Sequence, residues 1–248
     1  GDYADFLEVD RIDDFRVLRT YINGEIVAED GRSLIPRRAP KVVNNFRAGK
    51  NEVGDFALPY KKGDIPVIEA LDGRLVTNKL VAFPEIREGY VVSDIERDIL
   101  KVVVVNRYQD AQVAIGFVKN FGLKEGAIAS SVAHDSHNII AVGVADKDIC
   151  RAVNLIVDKK GGISAVSEDK EVLLALPIAG IMSNENYSDV AKKYTDIDNT
   201  AKAFGATLHA PFMTLSFMAL LVIPKIKLSD KGLFDGEKLE FISPQACQ

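Results

Sequence analysis

Cysteine is scarce in this chain: Cys150 and Cys247 are the only two, far apart, and one sits at the C-terminal tail. Such a pair supports neither a disulfide framework nor a cysteine zinc site, and reads as reduced thiols. Long apolar runs are missing as well. None approaches the roughly 20 residues that cross a bilayer, so no membrane partner is expected. The N-terminus lacks the basic, apolar and small-residue series of a secretory signal, and the expected location is the cytoplasm. Positive charge is not in excess: 31 lysines and arginines face 36 acidic residues, a net charge of -5, which argues against nucleic acid and anionic lipid as partners. Neither G-x-G-x-x-G nor G-x-x-x-x-G-K occurs, so Gly161-Gly162 reads as a helix stop rather than a phosphate cradle.

What is present is ordinary globular material. The 248 residues are 47% hydrophobic and 27% charged, enough for a buried core and for two unequal parts. Gly1 stands ahead of an acidic, strand-like start with no initiator methionine, which reads as a sequence begun inside a longer protein.

Residues 4–31 alternate short apolar stretches with turns, and Asn23-Gly24 between two β-prone runs is a hairpin signal, because both turn positions need positive φ. From residue 32 to about 88, Pro36, Pro40, Pro59, Pro66 and Pro84 exclude long helices and central strands, with Arg37, Arg38 and Lys41 adding charge. That stretch reads as extended connections and edge strands. Beyond it, Val102-Val103-Val104-Val105 and residues 113–118, 127–133 and 139–144 read as four strands. Asp146 is expected to cap a helix running to about Asp158, followed by a hairpin of residues 163–166 and 172–176. Ser188 opens the clearest helical pattern, with Val190, Ala191, Tyr194, Ile197, Ala201 and Phe204 on one face. Residues 212–223 are apolar up to Pro224 and read as buried core. The predicted class is α+β: a small β-sandwich remnant over residues 1–35, a proline-rich connection with edge strands over 36–90, and a mixed-sheet domain with packed helices over 91–248.

One polar constellation stands out. Ser130-Ser131-Val132-Ala133-His134-Asp135-Ser136-His137-Asn138 interrupts two apolar β runs and holds two of the three histidines. A strand that breaks into hydroxyls, imidazoles and a carboxylate and then resumes has the form of a site at a sheet end. As a metal site it offers His134 and His137 with Asp135, short of the three or four well-placed donors zinc requires. As a nucleophile site it offers Ser130, Ser131 or Ser136, without the G-x-S-x-G elbow. As a binding or proton-handling element it would use His134, Asp135 and His137; as a purely structural turn it would use the same side chains to bond its own backbone. The residues leave these last two readings balanced. His209, in Leu208-His209-Ala210-Pro211-Phe212, is a lone histidine beside apolar residues and reads as a core or interface residue.

These motifs resemble the adenine deaminase family of the amidohydrolase superfamily. The resemblance is carried by Asp98-Ile99-Leu100-Lys101 through Asn106-Arg107-Tyr108, by Gly126-Ala127-Ile128-Ala129 running into the polar turn, and by Leu176-Pro177-Ile178-Ala179-Gly180-Ile181-Met182-Ser183. Pro211-Phe212-Met213-Thr214-Leu215-Ser216-Phe217 and Lys227-Leu228-Ser229-Asp230-Lys231-Gly232-Leu233 continue it in order. Ala4-Asp5-Phe6-Leu7 and Val17-Leu18-Arg19-Thr20-Tyr21-Ile22-Asn23-Gly24 resemble the strands that follow the last barrel helix of amidohydrolases. The resemblance implies hydrolysis of adenine to hypoxanthine and ammonia, in which a divalent metal lowers the pKa of bound water and side chains move protons. It implies manganese, iron or zinc on barrel residues that begin with a His-x-His pair. This sequence has no His-x-His, so the expected departure is a barrel lying outside the chain, with no metal bound by the chain itself. His134, Asp135 and His137 are then the expected catalytic residues and Ser136 and Asn138 the expected substrate-binding ones, with adenine as substrate and a homo-oligomer as the assembly. The competing reading is a non-catalytic scaffolding and oligomerisation module.

Overall fold

In a computed structural model of the protein, residues 1–36 and 38–245 are described; Arg37 and Cys247, both named above, lie outside them. The chain divides into two compact units, Gly1–Pro40 and Lys41–Gln248.

In the first unit, strands β1 (Phe6–Val9), β2 (Val17–Ile22), β3 (Glu25–Glu29) and β4 (Arg32–Ser33) pair antiparallel in sequence order. Asn23 and Gly24 join β2 to β3 with φ of 53° and 76°, as a two-residue hairpin following the strands' twist requires. Arg19 on the middle strand reaches Glu29 of β3 at 2.7 Å and Glu8 of β1 at 3.2 Å. Phe6 stacks on Tyr21 at 4.3 Å, while Val17, Ile22 and Ile26 stay exposed.

The second unit is built on strands β5 (Leu58–Pro59), β6 (Ile65–Glu69), β7 (Asn78–Ala82), β8 (Glu85–Arg87), β9 (Tyr90–Val92), β10 (Ile99–Val105), β11 (Ala114–Lys119), β12 (Ala127–Ser130) and β13 (Ile139–Gly143). Helix α1 (Asp146–Lys159) precedes β14 (Gly162–Val166) and β15 (Glu171–Ala175); helices α2 (Tyr187–Ala203) and α3 (Pro211–Phe217) precede β16 (Ile226–Ser229), β17 (Gly232–Asp235) and β18 (Glu240–Ile242). Eight strands form one sheet in the order β15-β14-β12-β13-β10-β11-β6-β7, antiparallel except where β6 meets β11. This mixed sheet with packed helices is the predicted α+β class. Strand β6 carries Pro66 but is not the edge strand expected of the proline-rich stretch, since it lies between β11 and β7. Pro66 stands ahead of Ile68 and Glu69, the two positions that pair with β11, so its missing N–H interrupts no bond to that neighbour.

The apolar run of β10 needs no alternation because both sheet faces are covered. Val102 and Val104 point with Ile128, Ile140 and Val142 into a core closed by Ile197 of α2 and Leu215 of α3. Val103 and Val105 point the other way, with Ala129 and Ile139, against Ile149, Val153 and Ile156 of α1. Each such valine, leucine or isoleucine side chain contributes about 1.5–3 kcal/mol on burial.

Three local expectations are corrected. Ala145, not Asp146, occupies the N-cap of α1, and the Asp146 carboxylate instead accepts from the buried Lys101 Nζ at 2.6 Å. That bond partly offsets the burial that pushes the Lys101 amine below its ordinary value. Asn186, not Ser188, caps α2, because its side chain accepts from the Ser188 N–H. Residues 212–223 are not one buried element: α3 ends at Phe217, and Val222 is 76% exposed. The helix stop at Gly161-Gly162 is as expected, with Lys160 left-handed at the C-cap.

Lys227 on β16 is fully buried; its ammonium donates to the Leu75 carbonyl at 2.8 Å and to Thr77 Oγ1 at 3.3 Å, and no described carboxylate pairs with it. Burial pulls this amine down to about 8 from an unfolded 10.5. Between those values the unfolded chain binds more protons, so the site's contribution is fully present above the unfolded value and is lost as pH falls through the folded one. Denaturant unfolding from pH 8 to 10.5 should therefore show a rise in stability with pH of up to about 1.4 kcal/mol per unit that Lys227→Met lacks. Parallel pH curves for the two proteins would contradict it.

Candidate functional site

Because the neighbours in the run β15-β14-β12-β13-β10-β11 are antiparallel to one another, one end of the sheet gathers four loops. The β10–β11 loop brings Asn106, Arg107 and Tyr108; the β12–β13 turn brings residues 131–138; β14 starts at Gly162, and the segment after β15 brings Ala179 and Gly180. The predicted polar turn does therefore occupy a sheet end.

Within it the five expected site residues separate by environment. Asp135 and Ser136 are exposed, His134 and His137 are half-buried, and Asn138 is buried. The two imidazoles meet edge-on at 5.8 Å between ring centres, and His134 also packs its ring against Phe217 at 4.8 Å. The His134 N–H donates to Ser216 O at 3.2 Å, which ties the turn to the end of α3. Asn138 does not face outward: its side-chain oxygen accepts from the Arg107 N–H at 3.2 Å. The Ser136 hydroxyl is the acceptor for the Asn138 N–H at 3.5 Å, while the Ser136 carbonyl takes the Tyr108 hydroxyl at 2.7 Å.

The His137 imidazole is held below its ordinary value, first by burial and then by the charges of His134 and Arg107, with Asp135 opposing. Its Nδ1 is buried with no hydrogen-bond partner among the described residues, and so is Arg107 Nε. A mostly neutral imidazole with one unpartnered nitrogen, next to an exposed carboxylate, is chemically equipped to accept, donate or pass a proton. Among the described residues no group of three or more His, Cys, Asp and Glu is placed to hold a metal ion. The turn's two imidazoles and carboxylate therefore do not fit one. His209 is exposed, and its backbone N–H donates to Asp72 at 3.0 Å.

Arg107, Tyr108 and Gly180 were assigned no role from the sequence, although all lie in quoted motifs. The available signal was the polar triplet Asn106-Arg107-Tyr108 directly after an unbroken apolar strand. Arg107 is only 5% exposed, and its Nη1 donates to Ala179 O at 2.6 Å and its Nη2 to Tyr108 Oη at 2.7 Å. A broad groove at the same sheet end is lined by residues 110–115 with Asp55, Lys61, Asp230 and Gln245, and by none of residues 134–138.

Fold and site together define an α+β domain that presents a histidine-bearing polar turn at one end of a doubly covered sheet. Residues 74–240 match the family model described as the adenine deaminase C-terminal domain. The chain belongs to that family, in agreement with the resemblance read from its motifs. It is similar to proteins named adenine deaminase from Methanosarcina acetivorans (50% identical over 252 residues), Salinibacter ruber (49% over 244) and Borreliella burgdorferi (43% over 244). Each comparison covers 98% of this chain, but only 46%, 45% and 44% of the respective relative, so the chain spans less than half their length. No helix among the described residues is long and apolar enough to cross a membrane.

Gly180 has φ of +72°, and a Cβ there would lie 1.8 Å from Arg107 Nη1. Gly180→Ala therefore meets both backbone strain and a collision. We expect a loss of about 1–3 kcal/mol from the backbone alone, read as a lower denaturant midpoint with unchanged slope. Wild-type stability in that variant would show that the loop shifts freely.

Proposed function

We propose that this chain is the part of an adenine deaminase that completes the substrate pocket, with the metal-bearing barrel supplied by the rest of the parent protein. The supporting observation is the half-buried His134–His137 pair beside exposed Asp135, at a sheet end of a chain in the adenine deaminase C-terminal domain family. The reaction is adenine plus water to hypoxanthine plus ammonia. His137, neutral near pH 7, and Asp135 hydrogen-bond the purine edge or hold the proton that leaves with ammonia, and His134 orients His137 through their edge-on contact. Ser136 and Asn138 shape the turn around them. The divalent metal of the parent enzyme, manganese, iron or zinc, has no ligand set among the residues described here, so no step is assigned to it. In this reading the protein serves purine metabolism in the cytoplasm as a homo-oligomer of the amidohydrolase superfamily, with neither nucleic acid nor membrane as partner.

A second reading, a scaffolding and oligomerisation module, draws on the bonds that tie Asn138 and the Ser136 carbonyl to Arg107 and Tyr108. The two readings separate in the full-length, metal-loaded parent protein. His137→Ala or Asp135→Ala should lower turnover about 100- to 10,000-fold, the usual value of a positioned proton-transfer group, with folding nearly intact. Normal turnover with only a lower melting temperature would make the turn structural. The chain by itself, with manganese, iron or zinc added, should release no ammonia from adenine above background; metal-dependent release would move the chemistry into this chain.

A further inference from the structure

We infer that Arg107 and Tyr108 are positioning residues for the histidine turn, closing a hydrogen-bond circuit that fixes where His134 and His137 present their imidazoles. The inference rests on reading that turn as the pocket-completing element. It extends the site to a strand end and a loop to which no role has been given.

The circuit runs through both ends of the turn. Ser131 Oγ, at its start, donates to Gly180 O at 2.5 Å and accepts from the Gly162 N–H at 2.8 Å. One residue back, Ala179 O accepts from Arg107 Nη1. Arg107 Nη2 passes the connection to Tyr108 Oη, and the Tyr108 hydroxyl donates to Ser136 O, near the end of the turn. The Arg107 backbone N–H then holds Asn138. The imidazoles at 134 and 137 thus sit on a segment clamped at 131 by Gly180, at 136 by Tyr108 and at 138 by the Arg107 backbone, and the Arg107 guanidinium links the Ala179 and Tyr108 ends of that clamp.

The anchor of the circuit is itself fixed. Asn106 Oδ1 accepts from the Tyr108 and Gln109 N–H groups at 2.9 and 3.2 Å, and Asn106 Nδ2 donates to Asp230 at 2.7 Å. Arg107 stands two residues beyond the end of the buried strand β10, so its Cα cannot drift far without disturbing the sheet. Ala179 is held from outside by its N–H bond to Val43 O at 2.7 Å.

The chemistry of the guanidinium separates this arrangement from an ordinary buried ion pair. Arg107 is met by neutral oxygens, a carbonyl and a phenol hydroxyl, and no described carboxylate pairs with it. Its charge is therefore left to act on its neighbours, and the ring it disfavours charging is His137. A lysine would keep the charge but lose the planar fork that reaches Ala179 and Tyr108 together. A phenylalanine at 108 would keep the ring under the guanidinium, now 4.7 Å away, and remove only the hydroxyl link.

The test uses the full-length parent protein with Tyr108→Phe and Arg107→Lys, read by steady-state kinetics across pH and by NMR of carbon-labelled histidine. Displacing a catalytic group by about an ångström costs on the order of 100-fold in rate. We expect kcat to fall about 10- to 100-fold with a much smaller change in KM, and the His137 resonances and the acidic limb of the pH profile to move in both variants. Tyr108→Phe, which removes one hydroxyl, serves where Arg107→Lys fails to fold. Wild-type His137 resonances together with wild-type kcat in Tyr108→Phe would overturn the inference. If those resonances move while His137→Ala turns over normally, the positioning stands and the pocket reading fails.

Discussion

A buried guanidinium is costly unless its donors find oxygens, and at the polar end of this sheet Arg107 finds one for each Nη, while Nε has none among the described residues. Strand β10 delivers the residue to the interior because its seven positions are all buried. The oxygens that meet it come from a loop, a tyrosine and, at one remove, the histidine turn. Gly180 is what permits the loop to come so close: any side chain there would occupy the guanidinium's place. The positions of His134 and His137 thus depend on how one cation is satisfied as well as on the turn's own bonds, such as that from the His137 backbone N–H to Ala133 O.

The same economy of buried cations recurs elsewhere in the large unit. Lys101 lies in the middle of β10 and spends its ammonium on the Phe56 carbonyl and on Asp146 at the first turn of α1. It thereby connects the central strand, the segment before β5 and the helix that covers one face. Lys227 performs a comparable link between β16 and residues 75–77, without a carboxylate. Such groups stabilise little in themselves, but leaving any of them unpaired is costly, so they constrain which loops lie against which strands.

Much of the fold was legible because hydrophobic pattern and turn chemistry are local. Asn23-Gly24 announced its hairpin, the four valines of β10 announced a strand, and Gly161-Gly162 announced the end of α1. Local signals failed where a longer-range partner outbid them. Asp146 was read as a cap because its type suits one, yet it serves Lys101, which is distant in sequence. Residues 212–223 were read as one buried segment because they are apolar, but the chain turns after Phe217 and exposes Val222.

Residue chemistry alone determined that the chain holds an α+β fold with one polar turn at a strand break, and that the turn's groups suit proton handling as well as structure. It determined this because strand periodicity and side-chain chemistry are properties of neighbouring residues. Tertiary structure alone decided how that turn is held. Arg107 and Ala179 are 72 positions apart in sequence and form a bond of 2.6 Å, and Asn138 turns inward to Arg107 instead of outward. No pattern within a strand or a turn encodes such pairings. They follow from the strand order β15-β14-β12-β13-β10, which gathers those loop ends at one end of the sheet, and from the cost of leaving a buried cation without oxygens.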